Sequence, residues 1–172
     1  ADLDYKTAGF QKSDLILIAA RPSMGKTAFV LNIAQYVAIR KHLPVVFFSL
    51  EMSSEQIGNR LVAMESRIDA QKLRSGNLNG NEWMELTSGA KVIADSNLLI
   101  DDTPGISVNE IRSKCRKFKL EKRGLGMIVI DYLQLMSSSR HSESRQQEIS
   151  EISRSLKALA RELDVPVLAL SQ

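Results

Sequence analysis

Apolar positions along this chain follow two rhythms. Short unbroken runs, Leu15–Ala20, Val45–Leu50, Leu98–Asp101, Met127–Asp131 and Val167–Leu170, read as strands buried on both faces. Between them, apolar residues recur every three or four positions, the spacing of a helix with one buried face. Thr27–Lys41 carries Phe29, Val30, Ile33, Ala34 and Val37 in that pattern. Ser53-Ser54-Glu55-Gln56 reads as a capping box opening a helix to about Met64, and Leu61, Met64 and Ile68 continue its apolar side. Ser107-Val108-Asn109-Glu110 opens another, to about Lys122, which Gly124-Leu125-Gly126 breaks. Gln146–Leu163 is a long helix built on Ile149, Ile152, Leu156, Leu159 and Leu163. The polar middle, Asp69 to Asn81, predicts a short helical piece around Ala70–Leu73 and a turn, then a helix through Trp83, Leu86 and Ala90. Ser137 to Ser144 is a polar loop. Strand and helix alternate, so the expected fold is α/β: one domain over residues 1–172, a mainly parallel sheet flanked by helices. The chain stops at Gln172 directly after a buried-type strand, which reads as part of a longer protein.

The first strand leads into Ala20-Arg21-Pro22-Ser23-Met24-Gly25-Lys26-Thr27, and a helix follows. Strand, loop, Gly-Lys-Thr, helix is the layout of a phosphate-binding P-loop. Inward-turned N–H groups and a helix N-terminus make an anion nest; Lys26 suits β- and γ-phosphates, and the Thr27 hydroxyl suits Mg²⁺. Arg21, Pro22, Ser23, Met24, Gly25 and Ala28 complete the expected nucleotide-binding segment. Ala20 stands where the motif usually opens on glycine, and alanine is the smallest replacement.

A nucleotide hydrolase also needs a carboxylate for the metal shell, at the end of a strand beside the P-loop strand. Asp131, after Met127-Ile128-Val129-Ile130, has that position; on its own it also reads as an acidic turn residue. Glu51 directly follows the second strand, on the rim where parallel sheets bind ligands, and could activate water. An acid favoured at a helix N-terminus is the plainer reading. Gln172 ends the fifth strand on the same rim, where an amide can bond a γ-phosphate, or serve simply as a loop residue.

Composition narrows the partners. No apolar run approaches the roughly 18 residues of a membrane span. A single cysteine, Cys115, excludes an internal disulfide and fits a reducing, cytoplasmic setting; its register with Val108, Ile111 and Phe118 predicts a packed core thiol. One cysteine and two separated histidines give no zinc pattern. Net charge is +3 and the pI near 9.1, which permits nucleic acid without demanding it. In the Ser137–Arg145 loop, Arg140 and Arg145 suit sequence-blind phosphate contact; a solvated loop is the alternative, and His141 reads as incidental. Residues 111–126 hold seven Lys/Arg against one Glu, better read as a solvated helix face than a nucleic-acid patch. Trp83 reads as core or subunit packing.

Taken together, Ala-Arg-Pro-Ser-Met-Gly-Lys-Thr-Ala (20–28), Phe-Ser-Leu-Glu-Met (48–52), Ile-Asp-Asp-Thr-Pro (100–104), Ile-Val-Ile-Asp-Tyr-Leu-Gln-Leu (128–135) and Ala-Leu-Ser-Gln (169–172) closely resemble the C-terminal RecA-like domain of DnaB-type replicative DNA helicases, bacterial or phage. Asp2-Leu3-Asp4 with Thr7-Ala8-Gly9-Phe10, and Ser144–Glu148 with Leu156–Ala160, extend the likeness over essentially the whole chain. Alanine at position 20 is usual there. The resemblance implies a RecA-like P-loop NTPase core and a homo-hexameric ring that hydrolyses ATP with Mg²⁺ and moves 5′ to 3′ on single-stranded DNA. Primase and a helicase loader would be engaged through regions partly outside this chain, and a basic finger and a main DNA loop lie beyond Gln172. It implies Glu51 as catalytic carboxylate beside Lys26, Asp131 and Thr27 as Mg²⁺ residues and Gln172 as γ-phosphate sensor. Arg60 is a weaker nucleotide contact, equally readable as a solvated arginine. A RecA-type filament ATPase or a nucleotide-holding scaffold are the competing readings; a small-molecule kinase would carry a lid that nothing here supplies.

Overall fold

A computed structural model describes residues 13–19, 25–137 and 144–172. Five strands, β1 (Leu15–Ala19), β2 (Val45–Ser49), β3 (Leu98–Asp101), β4 (Met127–Asp131) and β5 (Val167–Ser171), form one sheet in the order β1-β5-β4-β2-β3. Every pairing is parallel, so all strands end on one rim. The helices are α1 (Gly25–Gln35), α2 (Ser54–Ser66), α3 (Ala70–Ser75), α4 (Gly80–Asp95), α5 (Val108–Lys122) and α6 (Arg145–Leu163).

The unbroken apolar runs have a direct cause: the sheet is covered on both faces. Val46, Phe48, Ile128, Ile130, Val167 and Ala169 pack with Ile111, Cys115 and Phe118 of α5 and with Ile152, Leu156 and Leu159 of α6. Their neighbours Val45, Phe47, Met127, Val129, Leu168 and Leu170 pack with Val30, Leu31 and Ala34 of α1 and with Ile57 and Leu61 of α2. Successive strand residues point to opposite faces, so adjacent Phe47 and Phe48 serve different cores and both are fully buried. Edge strand β1 is less covered, with Leu17 47% exposed.

The predicted elements form close to their expected bounds, with some differences. The single helix expected over Thr27–Lys41 is α-helical to Gln35 and then widens into a π turn over Tyr36–Arg40. The wider turn brings both Ala38 and Ile39 into the core, which α spacing from Ala34 would not. The helix through Trp83 begins at Gly80 behind a third capping box, Asn79 with Glu82. Trp83 belongs to neither core: it stands 49% exposed in the first turn of α4, beside exposed Met84. Among the basic side chains of α5, Arg116, Lys117 and Lys122 are exposed, as a solvated face predicts, and some also act as struts. Arg112 and Arg116 both reach Glu162 of α6, Lys114 bonds Asp101 and Thr103, and Lys119 Nζ donates to the Leu163 carbonyl at 2.7 Å, capping the C-terminus of α6. Cys115 is buried as expected.

Candidate nucleotide site

The rim of the sheet collects the polar residues singled out in the sequence. Helix α1 begins at Gly25, with Lys26 and Thr27 in its first turn. Thr27 Oγ1 donates to Asp131 Oδ2 at 3.0 Å, joining two residues 104 apart in sequence. Lys26 Nζ is shielded from solvent and has no hydrogen-bond partner among the described residues. Desolvation holds its pKa below the ordinary lysine value. An unpaired, shielded ammonium is costly, and an anion such as a phosphate would satisfy it. A Cβ added at Gly25 would meet nothing within 4 Å, so space stays open at the helix start. These features fit a nucleotide triphosphate. Among the described residues no three His, Cys, Asp or Glu side chains gather as a metal cage. Thr27 and Asp131 instead form the sparse donor set typical of Mg²⁺, which keeps waters and takes phosphate oxygens.

Asp131 is 5% exposed at the end of β4. Burial pushes its carboxyl above the usual range; the Thr27 hydrogen bond opposes that, the Glu51 charge adds to it and Arg60 offsets it. The backbone ties the turn that carries Glu51 to the Asp131 end of β4. Ser49 pairs with Asp131 in register, and Leu50 N–H donates to the Asp131 carbonyl at 2.8 Å, so β2 leaves the sheet fixed to β4. Ser49 Oγ donates to the Met52 carbonyl at 2.7 Å, turning the chain so that Glu51 is exposed at the bend. The reciprocal Ser53–Gln56 box then starts α2, and Ser54 N–H donates to Asp102 Oδ2 at 2.8 Å.

Asp102 was not legible as part of this assembly, although its Ile-Asp-Asp-Thr-Pro string was. The two acids divide their work. Burial alone would raise the Asp101 carboxyl, but bonds from Lys114 and Thr103 hold it below its usual range. Asp102 turns the other way, to the N-terminus of α2 that follows Glu51.

Gln172 is exposed at the end of β5, between the ends of β1 and β4. Its backbone is gripped by Gln134, which lies in a 3₁₀ turn over Leu133–Leu135 just after β4. Arg60 and Ala28 line a cavity of about 860 Å³ between α1, α2 and α3, together with Leu31, Met52, Met64 and Leu73. The expected nucleotide residues Arg21, Pro22, Ser23 and Met24 lie outside the described residues, as do Arg140 and His141. Arg145, at the start of α6, is described and pairs with Glu148 at 2.9 Å.

The model of the DnaB-like helicase C-terminal domain matches residues 1–172. The chain is 59% identical over 172 residues to "Replicative DNA helicase DnaB" of Geobacillus stearothermophilus, and 58% identical to "Replicative DNA helicase DnaC" of Bacillus subtilis (strain 168). Each match covers 99% of this chain and 38% of the relative, so the chain spans about two-fifths of their length. Among solved structures, a DnaB-like replicative helicase, described with its interactions with primase, superposes with a TM-score of 0.92 at 42% identity, over 99% of this chain and 41% of that one. A solved chain described as an ATPase domain gives 0.93 at 42% identity, over 99% and 61%. A whole-chain family match, sequence identity well above half and a shared five-stranded parallel α/β core lead to one conclusion: the chain belongs to the DnaB-like helicase C-terminal domain family.

Proposed function

We propose that this chain is the ATPase motor of a replicative DNA helicase, turning over ATP·Mg²⁺ to move along single-stranded DNA. The observation that carries the reading is the 3.0 Å hydrogen bond from Thr27 to Asp131, with Lys26, whose ammonium is unpaired among the described residues, next in sequence. Family membership favours a helicase over a recombinase-like filament or a scaffold.

Lys26 neutralises charge on the β- and γ-phosphates, with Gly25 and the N-terminus of α1 supplying N–H groups. Thr27 and Asp131 hold the metal side. Mg²⁺, when bound, draws charge from the phosphate oxygens. Glu51 orients a water and takes its proton as the water oxygen bonds the γ-phosphorus and the bond to the ADP oxygen breaks. Gln172 bonds the γ-phosphate with its amide, so losing the phosphate frees the end of β5. Arg60, on α2, offsets the charge at Asp131. Arg140 and Arg145 contact DNA phosphates. The motor works as a homo-hexameric ring, and primase and a loader engage other parts of the full protein.

The test is ATP hydrolysis by the full-length protein, with and without single-stranded DNA, for wild type and Glu51→Gln. DNA should stimulate wild-type turnover, and Glu51→Gln should lower it by about 10²-fold or more, the usual contribution of a positioned base, while nucleotide still binds. Turnover indifferent to DNA, or unchanged in the variant, overturns the reading.

A further inference from the structure

Gln134 has no part in the proposed chemistry, yet its side chain makes three hydrogen bonds on the rim. Its Nε2 donates to Ser171 Oγ at 2.9 Å and to the Gln172 carbonyl at 3.1 Å, and its Oε1 accepts from Gln172 N–H at 3.2 Å. The β4–β5 pairing runs only from Ile128 to Ile130 on the β4 side, with Ala169 as its last partner. Beyond Ala169, β5 has lost its β4 neighbour, because the chain turns away after Asp131 into the 3₁₀ turn. Gln134 supplies a side chain on that side: one amide donating to the C=O and accepting from the N–H of one residue is the bonding pattern of a strand neighbour. On the other side, β1 pairs with β5 as far as Ala19 and Ser171. At Gln172 the Gln134 amide bonds both the backbone N–H and the carbonyl.

We infer that Gln134 is a positioning residue that couples the Asp131 end of the site to Gln172, and so sets how strongly DNA and hydrolysis influence each other. This rests on the proposed role of Gln172. The linkage is short and covalent on one side. Asp131 and Gln134 are three residues apart, and the intervening Leu133 is fully buried, so the turn cannot move freely of the β4 end. A shift of the Asp131 carboxylate carries the Gln134 amide with it, and the amide carries the Gln172 backbone. The contact is also chemically selective. Glutamate at 134 would still accept from Gln172 N–H, but could not donate to Ser171 Oγ and would set a carboxylate against the Gln172 carbonyl. Alanine would remove all three bonds.

The experiment uses full-length protein and four chains: wild type, Gln134→Ala, Gln172→Ala and the double variant. It reads nucleotide affinity by equilibrium binding, and kcat with and without single-stranded DNA. Expected for Gln134→Ala is nucleotide affinity within about threefold of wild type and a stimulation ratio reduced tenfold or more. The double variant should match Gln172→Ala alone, since a residue acting through another adds nothing once its target is gone. Gln134→Glu should fail like alanine despite its similar shape. An unchanged stimulation ratio overturns the inference, as do additive effects in the double variant or an equal loss of affinity and turnover, the mark of a merely structural role. If wild type itself shows no stimulation by DNA, the proposed function fails first and the coupling fails with it; stimulated wild type with insensitive Gln134→Ala removes this inference alone.

Discussion

Asp131 is a carboxylate kept where a carboxylate is uncomfortable. Its folded pKa lies above the ordinary value because burial, reinforced by Glu51, disfavours the charge. Folding therefore takes up a proton between the two pKa values. Its contribution is fully present below the unfolded pKa and is lost as pH rises through the folded one. At neutral pH the charged form weakens the empty domain. Asp131→Asn keeps an acceptor for Thr27 and removes that charge, so its Tm should exceed wild type in metal-free, nucleotide-free buffer near pH 7. The gap should close as pH falls below the carboxylate range. A lower Tm at pH 7 would contradict this account. Cys115 gives a second test at this scale. Burial, with the Asp101 charge adding to it, pushes its thiol up to about 12, so it is inert as a nucleophile while folded. A maleimide should label it only after denaturant unfolds the domain; rapid labelling of native protein would refute the packing. Of the candidate site residues, Lys26, Thr27 and Asp131 stand out in the sequence because motif grammar encodes them locally. Asp102 and Gln134 were not, since their partners lie 48 and 38 positions away and only the fold brings them together.

At the scale of elements, the contact between α2 and α4 is set by one glycine. A Cβ at Gly89 would fall 2.0 Å from Ser66 Oγ and 3.1 Å from both Ser66 Cβ and Ser66 N. The hydroxyl can rotate aside, but the backbone nitrogen cannot. Gly89→Ala should force the helices apart and cost about 1–3 kcal/mol, the range for overpacking a tight interface, read by denaturant unfolding. Ser66 Oγ is itself buried without a hydrogen-bond partner among the described residues. Ser66→Ala should thus be nearly neutral or stabilising, and should recover part of the Gly89→Ala loss in the double variant. Simple additivity would place the strain elsewhere. The sequence could mark this glycine only as a helix residue, because close approach depends on which helix lies opposite. Strands and capping boxes were legible for the opposite reason. An unbroken run such as Val45-Val46-Phe47-Phe48 states its own two-sided burial, and Ser53 with Gln56 satisfies its own N–H groups. The π turn over Tyr36–Arg40 was hidden, since α and π periods differ too little over one turn to be read from five residues.

For the whole molecule, the proposed nucleotide site joins pieces that the chain itself leaves loosely tied. Lys26 and Thr27 belong to α1, which follows the edge strand β1, whereas Asp131 ends central strand β4 and Glu51 follows β2. Among these residues the Thr27–Asp131 hydrogen bond is the one direct side-chain link. A ligand spanning Lys26, Thr27 and Asp131 would fasten the α1 end to the centre of the sheet. Binding to the folded state alone stabilises by about 2.7 kcal/mol at a ligand concentration 100 times Kd. For a domain of this size that is roughly 5–10 °C. A non-hydrolysable ATP analogue with Mg²⁺ should raise the ATPase-domain transition of the full-length protein by an amount of that order, and a chelator should remove part of the shift. Lys26→Met separates the ligand effect from general damage. Desolvation lowers the Lys26 pKa, so its charge opposes folding, a penalty absent above the unfolded pKa and fully present below the folded one. The variant should therefore unfold no earlier than wild type without nucleotide, yet gain little when nucleotide and Mg²⁺ are added. If it unfolds early in both conditions, Lys26 is a structural residue of α1 rather than a phosphate ligand. If it shifts as wild type does, the nucleotide binds away from this rim.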